Sequence, residues 1–228
     1  MPRTSLDALA SSTDEALLLR WRQGEVDAGE VLFDRHYEAV RRFFRNKVPA
    51  SAARDLVQKT FLACLEAFAR FRHHATFRSY LLGIARHVLI DHLRVALRRG
   101  GCELDLAEVA LADVQPAGED AIAVKRERRL LLRALRRLRF PLQLVLELRY
   151  WEALSDTEIA EVLDEPLGTV KTRLRAGRLA LEDELAQLAG TTEELRSTLD
   201  SLHRWATRVR LAGPQTTSGE PDGRRDHG

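Results

Sequence analysis

The sequence is poor in cysteine, aromatic residues and long apolar runs, and each shortage excludes a class of protein. The 228 residues include two cysteines, Cys64 and Cys102, without C-x-x-C spacing, which argues against a disulfide scaffold or a zinc ribbon. Aromatic residues make up 6% of the chain, while leucine and arginine abound, which favours helices over a β-sandwich. No apolar run approaches the ~18–20 residues that cross a bilayer, and no signal peptide is visible at the start, so we expect a cytoplasmic protein.

The net charge of +2 hides a sharp division of charge along the chain. Residues 100–124 hold six acids and no Lys or Arg, whereas residues 125–139 hold eight bases and one acid. So abrupt a change predicts two modules joined by an acidic linker. The acids of that linker fit either of two roles, occupation of a basic nucleic-acid channel or plain solubility. The predicted organisation is an N-terminal lead at 1–19, a first module at 20–99, the linker at 100–124, a second module at 125–188, an extra amphipathic helix at 189–212 and a disordered tail at 213–228.

Apolar residues in the first module recur at helical spacing. One stripe steps by 4, 3, 4 and 3 residues, and a second steps by 4, 3 and 4. Pro49 is expected to stop an earlier helix at about 27–47, and Thr76 is expected to cap the helix that carries the second stripe. These patterns predict an all-α fold. The first stripe is Val57, Phe61, Cys64, Phe68 and Phe71, and the second is Phe77, Leu81, Ile84 and Val88.

The second module has the sequence features of a helix-turn-helix. Ser155 and Glu158 form a capping-box pattern at the start of a short helix. A break follows at Asp164, which tolerates left-handed backbone, and Pro166 sets the backbone for the first turn of a new helix. That helix carries Lys and Arg with no acid before Glu182, as expected of a helix that meets DNA.

The basic helix divides into a buried face and a face for DNA. Val170 and Leu174 are expected to face the core. Arginine can donate two hydrogen bonds to a guanine edge, whereas lysine and threonine commonly contact phosphates. The alternative is a solvated basic helix end whose cations offset the macrodipole. The residues left to meet DNA are Thr169, Lys171, Thr172, Arg173, Arg175 and Arg178.

Two separate motifs resemble those of the bacterial sigma-70 family. Residues 55–61 (DLVQKTF), followed by residues 77–86 (FRSYLLGIAR) and 91–94 (DHLR), resemble sigma region 2. Residues 154–161 and 166–174 resemble sigma region 4. The two-module form, without additional middle domains, is similar to the extracytoplasmic-function (ECF) group.

The resemblance implies a sigma factor that binds core RNA polymerase and directs promoter-specific initiation, rather than an enzyme. Core RNA polymerase and promoter DNA are its implied partners, with a duplex −35 element and a single-stranded −10 element, and an anti-sigma factor is a third candidate. No cofactor and no membrane insertion are implied. By position, the residues for polymerase docking are Asp55, Leu56, Gln58 and Phe61. Those for the −10 element are Arg72, His73, His74, Ala75, Arg86, His87, Asp91 and Arg94, and the exposed residues of the basic helix are assigned to the −35 element.

Two other functions compete with this interpretation. A helix-turn-helix regulator that acts alone would leave the 55–61 motif and the acidic linker unexplained. An all-α metal hydrolase would need ligands, and the adjacent His73 and His74 lack metal-ligand spacing, so we predict no metal site. Within the docking motif, Lys59 stands where the family usually has Glu, and we expect Asp55 to have no partner on its own helix.

Overall fold

A computed structural model describes residues 9–45, 47–68, 76–99 and 124–189. This part of the chain contains helices and no β-strand, which confirms the all-α prediction there. No described helix is long and apolar enough to cross a membrane. All but the first residue of the predicted helix at 189–212, the whole tail and nearly all of the acidic linker lie outside the described residues. The helices are α1 (Asp14–Arg22), α2 (Val26–Arg45), α3 (Ala50–Ala67), α4 (Phe77–Arg99), α5 (Val124–Arg137), α6 (Phe140–Tyr150), α7 (Asp156–Leu163) and α8 (Leu167–Leu188).

Helices α1–α4, which we call the N-terminal module, pack around an apolar core that continues into the helices after residue 124. Val57 and Cys64 of the first predicted stripe are buried there, with Phe61 and Phe68 partly buried beside them, as expected. Phe71 lies outside the described residues. The cap of α4 also forms as predicted, because the Thr76 hydroxyl accepts a hydrogen bond from the Ser79 backbone N–H at 3.2 Å.

Helix α1 is held against α2 by one close approach and one ion-pair cluster. A Cβ on Gly29 would lie 2.8 Å from the Trp21 ring, so only glycine lets the indole lie against α2. Asp14 accepts hydrogen bonds from Arg35 at 2.6 Å and from His36 at 2.7 Å. These contacts fix the first turn of α1 on the surface of α2.

Helices α5–α8 form the C-terminal module. Leu135, Leu146, Val170 and Leu181 are buried in its core. A Cβ on Gly177 would lie 3.2 Å from Leu146 Cγ, so α8 crosses α6 at a distance that favours glycine.

The two modules are in contact. Gly83 on α4 faces α7, and a Cβ at Gly83 would lie 3.7 Å from the Val162 carbonyl oxygen. Lys47, which follows α2, forms a buried ion pair with Glu147 on α6. Glu152, which follows α6, pairs with Arg42 of α2 and Arg78 of α4. The module interface is therefore partly ionic.

Candidate functional site

The helix-turn-helix forms through local interactions that its sequence specifies. The Ser155 hydroxyl accepts from the Glu158 backbone N–H at 3.2 Å, and the Glu158 carboxylate accepts from the Ser155 backbone N–H at 2.8 Å, which completes the capping box. Asp164 ends α7 in the left-handed region, with φ 53° and ψ 50°, as expected. Pro166 precedes the first helical residue of α8 at φ −59° and so fixes where that helix starts.

Helix α8 presents one face to the core and another to solvent. Val170 and Leu174 are buried as predicted. Thr169 and Arg173 are half-buried near the start of the helix. The predicted DNA-binding residues that are exposed on the outer face are Lys171, Thr172, Arg175 and Arg178. Among the described residues, α8 thus forms a cationic surface with hydroxyl groups, suited to phosphates and base edges.

Arg173 has a partner within its own module. Its Nη1 lies 2.7 and 2.6 Å from the two carboxylate oxygens of Glu165 in the preceding turn. The Thr172 hydroxyl donates to the Gly168 carbonyl at 3.0 Å, one turn earlier in the helix. To contact DNA with its full set of donors, the Arg173 guanidinium has to leave Glu165.

A second polar surface runs along α4. Asp91 is exposed and lies 3.4 Å from Arg94, a contact too long to constrain either side chain strongly. Arg86 is half-buried, and burial lowers the pKa of its guanidinium, against the opposing effect of the nearby Glu165 and Asp164 carboxylates. Residues 72–75 (Arg72, His73, His74 and Ala75) lie outside the described residues.

His87 is exposed on α4 with its tautomer defined by one hydrogen bond. Its Nδ1 lies 2.9 Å from the Gly83 carbonyl oxygen. Because a carbonyl can only accept, Nδ1 carries the proton. In the neutral form of the ring, Nε2 is then the hydrogen-bond acceptor on this face of the helix.

A groove between α2 and α3 forms the third surface, which we call the docking groove. Its volume is about 460 Å³. Gln58 and Phe61 of the predicted docking residues line it, whereas Leu56 is buried in the core and is not one of the lining residues. The other lining residues are Phe33, Tyr37, Arg54, Val57, Leu62 and Leu65.

Asp55 is exposed at one side of this groove, but it has a partner on its own helix. Its Oδ2 lies 2.7 Å from Lys59 Nζ. The expectation of an unpartnered Asp55 was wrong, because residues four apart lie on the same face of a helix and a lysine can reach back across one turn.

Cys64 is a core residue. It is fully buried, and burial raises the pKa of its thiol to about 12. Within the described residues, no group of three His, Cys, Asp or Glu side chains is arranged to hold a metal ion. Cys102, His73 and His74 lie outside those residues.

Comparison with known proteins shows which family this chain belongs to. The family model for Sigma-70 region 2 matches residues 32–100, and the model for Sigma-70, region 4 matches residues 128–181. The RNA polymerase sigma factor YlaC of Bacillus subtilis is 30% identical over 162 residues, which cover 71% of this chain and 94% of that protein. The ECF RNA polymerase sigma-E factor of Haemophilus influenzae is 29% identical over 184 residues, covering 77% and 97%. This chain belongs to the ECF group of the sigma-70 family.

A solved structure supports the fold of this sigma factor. The sigma factor RpoE, in a co-crystal structure with the anti-sigma factor NepR from Bartonella quintana, aligns with a TM-score of 0.52 and 21% identity. The alignment covers 66% of this chain and 91% of the Bartonella chain. As a sigma factor, the chain directs RNA polymerase in transcription initiation and is not a regulator that acts alone.

The sigma factor's docking groove contains residues that sequence reasoning missed. Phe33 and Tyr37 come from α2, and their rings lie 4.8 and 6.2 Å from the Phe61 ring between centroids. Tyr37 remains 43% exposed, and Leu62 and Leu65 on α3 are about half exposed. A signal was available, because the exposed leucines lie off the apolar stripe of α3 and large apolar side chains on an outer face indicate a binding surface.

Proposed function

We propose that this sigma factor acts through three separate surfaces, with core polymerase on the docking groove, the −10 element on α4 and the −35 element on α8. The observation that carries the proposal is the presence of an apolar groove and two cationic helix faces on one chain. A regulator that acts alone needs only one DNA-reading face and has no use for the groove. The division into modules at 20–99 and 125–188 is part of the same proposal.

The docking groove suits a helical partner. Its aromatic wall and exposed leucines offer apolar surface, while Arg54 and Gln58 supply polar groups at its edge. An amphipathic helix buries its apolar face in such a groove and pairs its polar flanks with the rim. We assign Gln58 and Phe61 to direct contact, Asp55 to the rim, and Leu56, which is buried in the core, to holding α3 in place. The partner is the coiled coil of core polymerase.

On α4, the proposed −10 surface reads unpaired bases. Arg86 and Arg94 supply cations for the strand backbone, while His87 Nε2 and the Asp91 carboxylate accept hydrogen bonds from base edges. Because an extruded base costs a few kcal/mol to unstack, these contacts form only after the duplex is open. The assignment of residues 72–75 to the same element rests on the resemblance of the sequence.

On α8, the proposed −35 surface reads duplex DNA in the major groove. Arg173 and Arg175 are assigned to base edges, and Lys171 and Thr172 to phosphates. Thr169 and Arg178 lie at the two ends of this surface. We assign no catalytic residue to the chain. The site of action is the cytoplasm, where bacterial polymerase transcribes, and an anti-sigma factor is a candidate regulator of the chain.

A paired substitution tests the docking surface. Leu62 in the groove and Leu19 on α1 are 56% and 58% exposed, so they match in chemistry and in accessibility. Leu62→Arg places a charge in the apolar groove and is expected to weaken core-polymerase binding at least about tenfold, equal to about 1.4 kcal/mol. Leu19→Arg, tested with purified core polymerase in the same titration, should bind as the wild type does.

The complex of the chain with core polymerase can also be used to identify the promoters. Core polymerase reconstituted with the chain should initiate at a limited promoter set, read by sequencing the 5′ ends of the transcripts. Equal polymerase affinity for the two leucine variants would contradict the docking assignment. Transcription that does not depend on the added chain would contradict the proposed function as a whole.

A further inference from the structure

Trp21, in the last turn of α1, contacts the docking groove without being one of its lining residues. Its ring stacks on Phe68, the residue after α3, with 3.6 Å between ring centroids and 24° between ring planes. Its contact with Phe33 of α2 is edge to face, with a centroid distance of 5.2 Å and an interplanar angle of 82°. Phe33 lines the groove. The indole therefore touches the α2 wall of the groove through one ring.

Phe33 passes this contact on to the other aromatic residues of the groove. Its ring lies 4.8 Å from that of Phe61, and the Phe61 ring lies 6.2 Å from that of Tyr37, between centroids. All three rings line the groove. Because aromatic pairs prefer edge-to-face or offset-stacked arrangements, the orientation of one ring limits that of the next. A continuous series of ring contacts thus joins Trp21 to the surface that we assign to polymerase.

Gly29 on α2 provides the space that the indole occupies. A Cβ at this position would lie 2.8 Å from two atoms of the Trp21 ring and 2.9 Å from a third. Carbon atoms in favourable contact lie about 3.5–4.0 Å apart, so even a methyl group here would displace the ring. Glycine in the interior of a helix is less favourable than alanine. At this position it weakens α2 but admits Trp21.

The turn between α1 and α2 holds the backbone of Trp21 in place. The Trp21 carbonyl oxygen accepts a hydrogen bond from the Gly24 backbone N–H at 3.0 Å, and Gly24 has a φ of 95°, which favours glycine. Across the same turn, Arg20 donates to the Glu25 carboxylate at 2.6 and 2.7 Å. The last turn of α1 is therefore fixed by contacts of its own, separate from the Asp14 cluster that holds the first turn.

We propose that Trp21 is a positioning residue for polymerase docking, which fixes the Phe33 ring and so keeps the docking groove preformed. The inference rests on the proposed function, because it concerns the surface assigned to core polymerase. Association with a preformed groove avoids the entropy cost of ordering side chains during binding. Loss of the indole should therefore weaken polymerase binding, although Trp21 is not one of the groove residues.

Two substitutions disturb the contact between Trp21 and Phe33 by different means. Trp21→Leu removes the aromatic ring, and Gly29→Ala keeps the ring but displaces it. Each should weaken core-polymerase binding about five- to tenfold, the range that one aromatic pair contributes. Trp21→Phe restores a ring and should recover part of the affinity. Asp14→Asn is the control, because it loosens the first turn of α1 without changing these rings, and it should bind polymerase as the wild type does.

A double substitution distinguishes positioning from a general loss of stability. Circular dichroism and melting curves first establish that each variant is folded at the temperature of the titration. If Gly29→Ala acts by displacing the indole, it has no indole to displace in a chain that carries Trp21→Leu. The double variant should then bind polymerase as Trp21→Leu does alone. Additive losses would overturn the proposal, because they would mean that the two residues act independently.

Fluorine NMR of the full chain, with para-fluorophenylalanine incorporated at Phe33, reports on the groove wall itself. The resonance should shift or broaden in Trp21→Leu and Gly29→Ala and stay unchanged in Asp14→Asn. An unchanged resonance in the first two variants would overturn the proposal, and so would a changed resonance with wild-type polymerase affinity. Failure of the proposed function shows separately, because Leu62→Arg would then bind polymerase as the wild type does.

Discussion

Arg173 on α8 and Glu165 in the turn before it form an ion pair, with Nη1 at 2.7 and 2.6 Å from the two carboxylate oxygens. The side chains are 32% and 22% exposed, so the pair lies between the surface and the core. An exposed pair contributes at most about 1 kcal/mol, whereas a bidentate guanine contact discriminates by about 1–3 kcal/mol. If Arg173 reads a base as proposed, it exchanges Glu165 for that base, and Glu165 orients the guanidinium before DNA binds.

Substitutions on α8 should separate base reading from phosphate binding. Arg173→Ala and Arg175→Ala are expected to weaken promoter binding, and at least one should alter preference at a −35 base by about 1–3 kcal/mol. Lys171→Ala should weaken binding to all sequences alike and flatten the salt dependence by about one unit. The measurement is holoenzyme binding to a series of −35 variants at several salt concentrations. If both arginine variants discriminate as the wild type does, α8 is not the reader.

Gly177 lies where α6 and α8 pack closely. A Cβ there would lie 3.2 Å from Leu146 Cγ and 3.4 Å from the Leu142 carbonyl oxygen. Gly177→Val should therefore lower the free energy of unfolding by about 1–3 kcal/mol, the usual cost of overpacking. Gly168→Val is the matched control on the same helix, because no atom lies within 4 Å of its Cβ position. Chemical denaturation of both variants checks the difference, and equal stability would contradict the packing argument.

The features predicted from sequence are those that depend on neighbouring residues. The Ser155–Glu158 capping box and the left-handed Asp164 are set by the residues next to them, and both were predicted. The packing role of Gly177 could not be predicted in this way. The sequence shows only that a glycine there costs about 1 kcal/mol of helix propensity relative to alanine. It does not show which helix packs against the residue. Tyr37 in the docking groove was missed for the same reason, since its place beside Phe61 depends on how α2 crosses α3.

The contact between α1 and α2 should weaken in acid. Burial alone would raise the pKa of Asp14, but hydrogen bonds from His36 and Arg35 outweigh it and hold that pKa below the usual 3.8. The contribution of Asp14 to stability is therefore complete above pH 3.8 and is lost as pH falls further, toward the folded-state pKa. Asp14→Asn should be less stable than the wild type at neutral pH, and the difference should shrink below pH 3.8. Denaturation curves from pH 6 to pH 3 check this, and a constant difference would contradict it.

Substitution of Asp55 can test whether this carboxylate stabilises α3 or binds the polymerase. Its bond to Lys59 at 2.7 Å joins two side chains that are each more than half exposed, so the pair contributes about 0.3–0.5 kcal/mol. Removal of one partner from a buried interfacial charge pair costs about 2–5 kcal/mol. If Asp55 only stabilises its helix, its removal costs a little folding stability. If it pairs with the polymerase, its removal costs several times more free energy, and the loss is in binding.

Asp55→Ala and Lys59→Ala remove the same intrahelical pair, and both should lower the melting temperature slightly and about equally. If Asp55 meets a cation on the polymerase coiled coil, Asp55→Ala should lower polymerase affinity at least about tenfold. Lys59→Ala should then leave that affinity unchanged or raise it, because it frees the Asp55 carboxylate for the partner. Melting curves and a core-polymerase titration on both variants decide the matter. Equal, near wild-type affinities would show that Asp55 stabilises α3 and does not contact the polymerase.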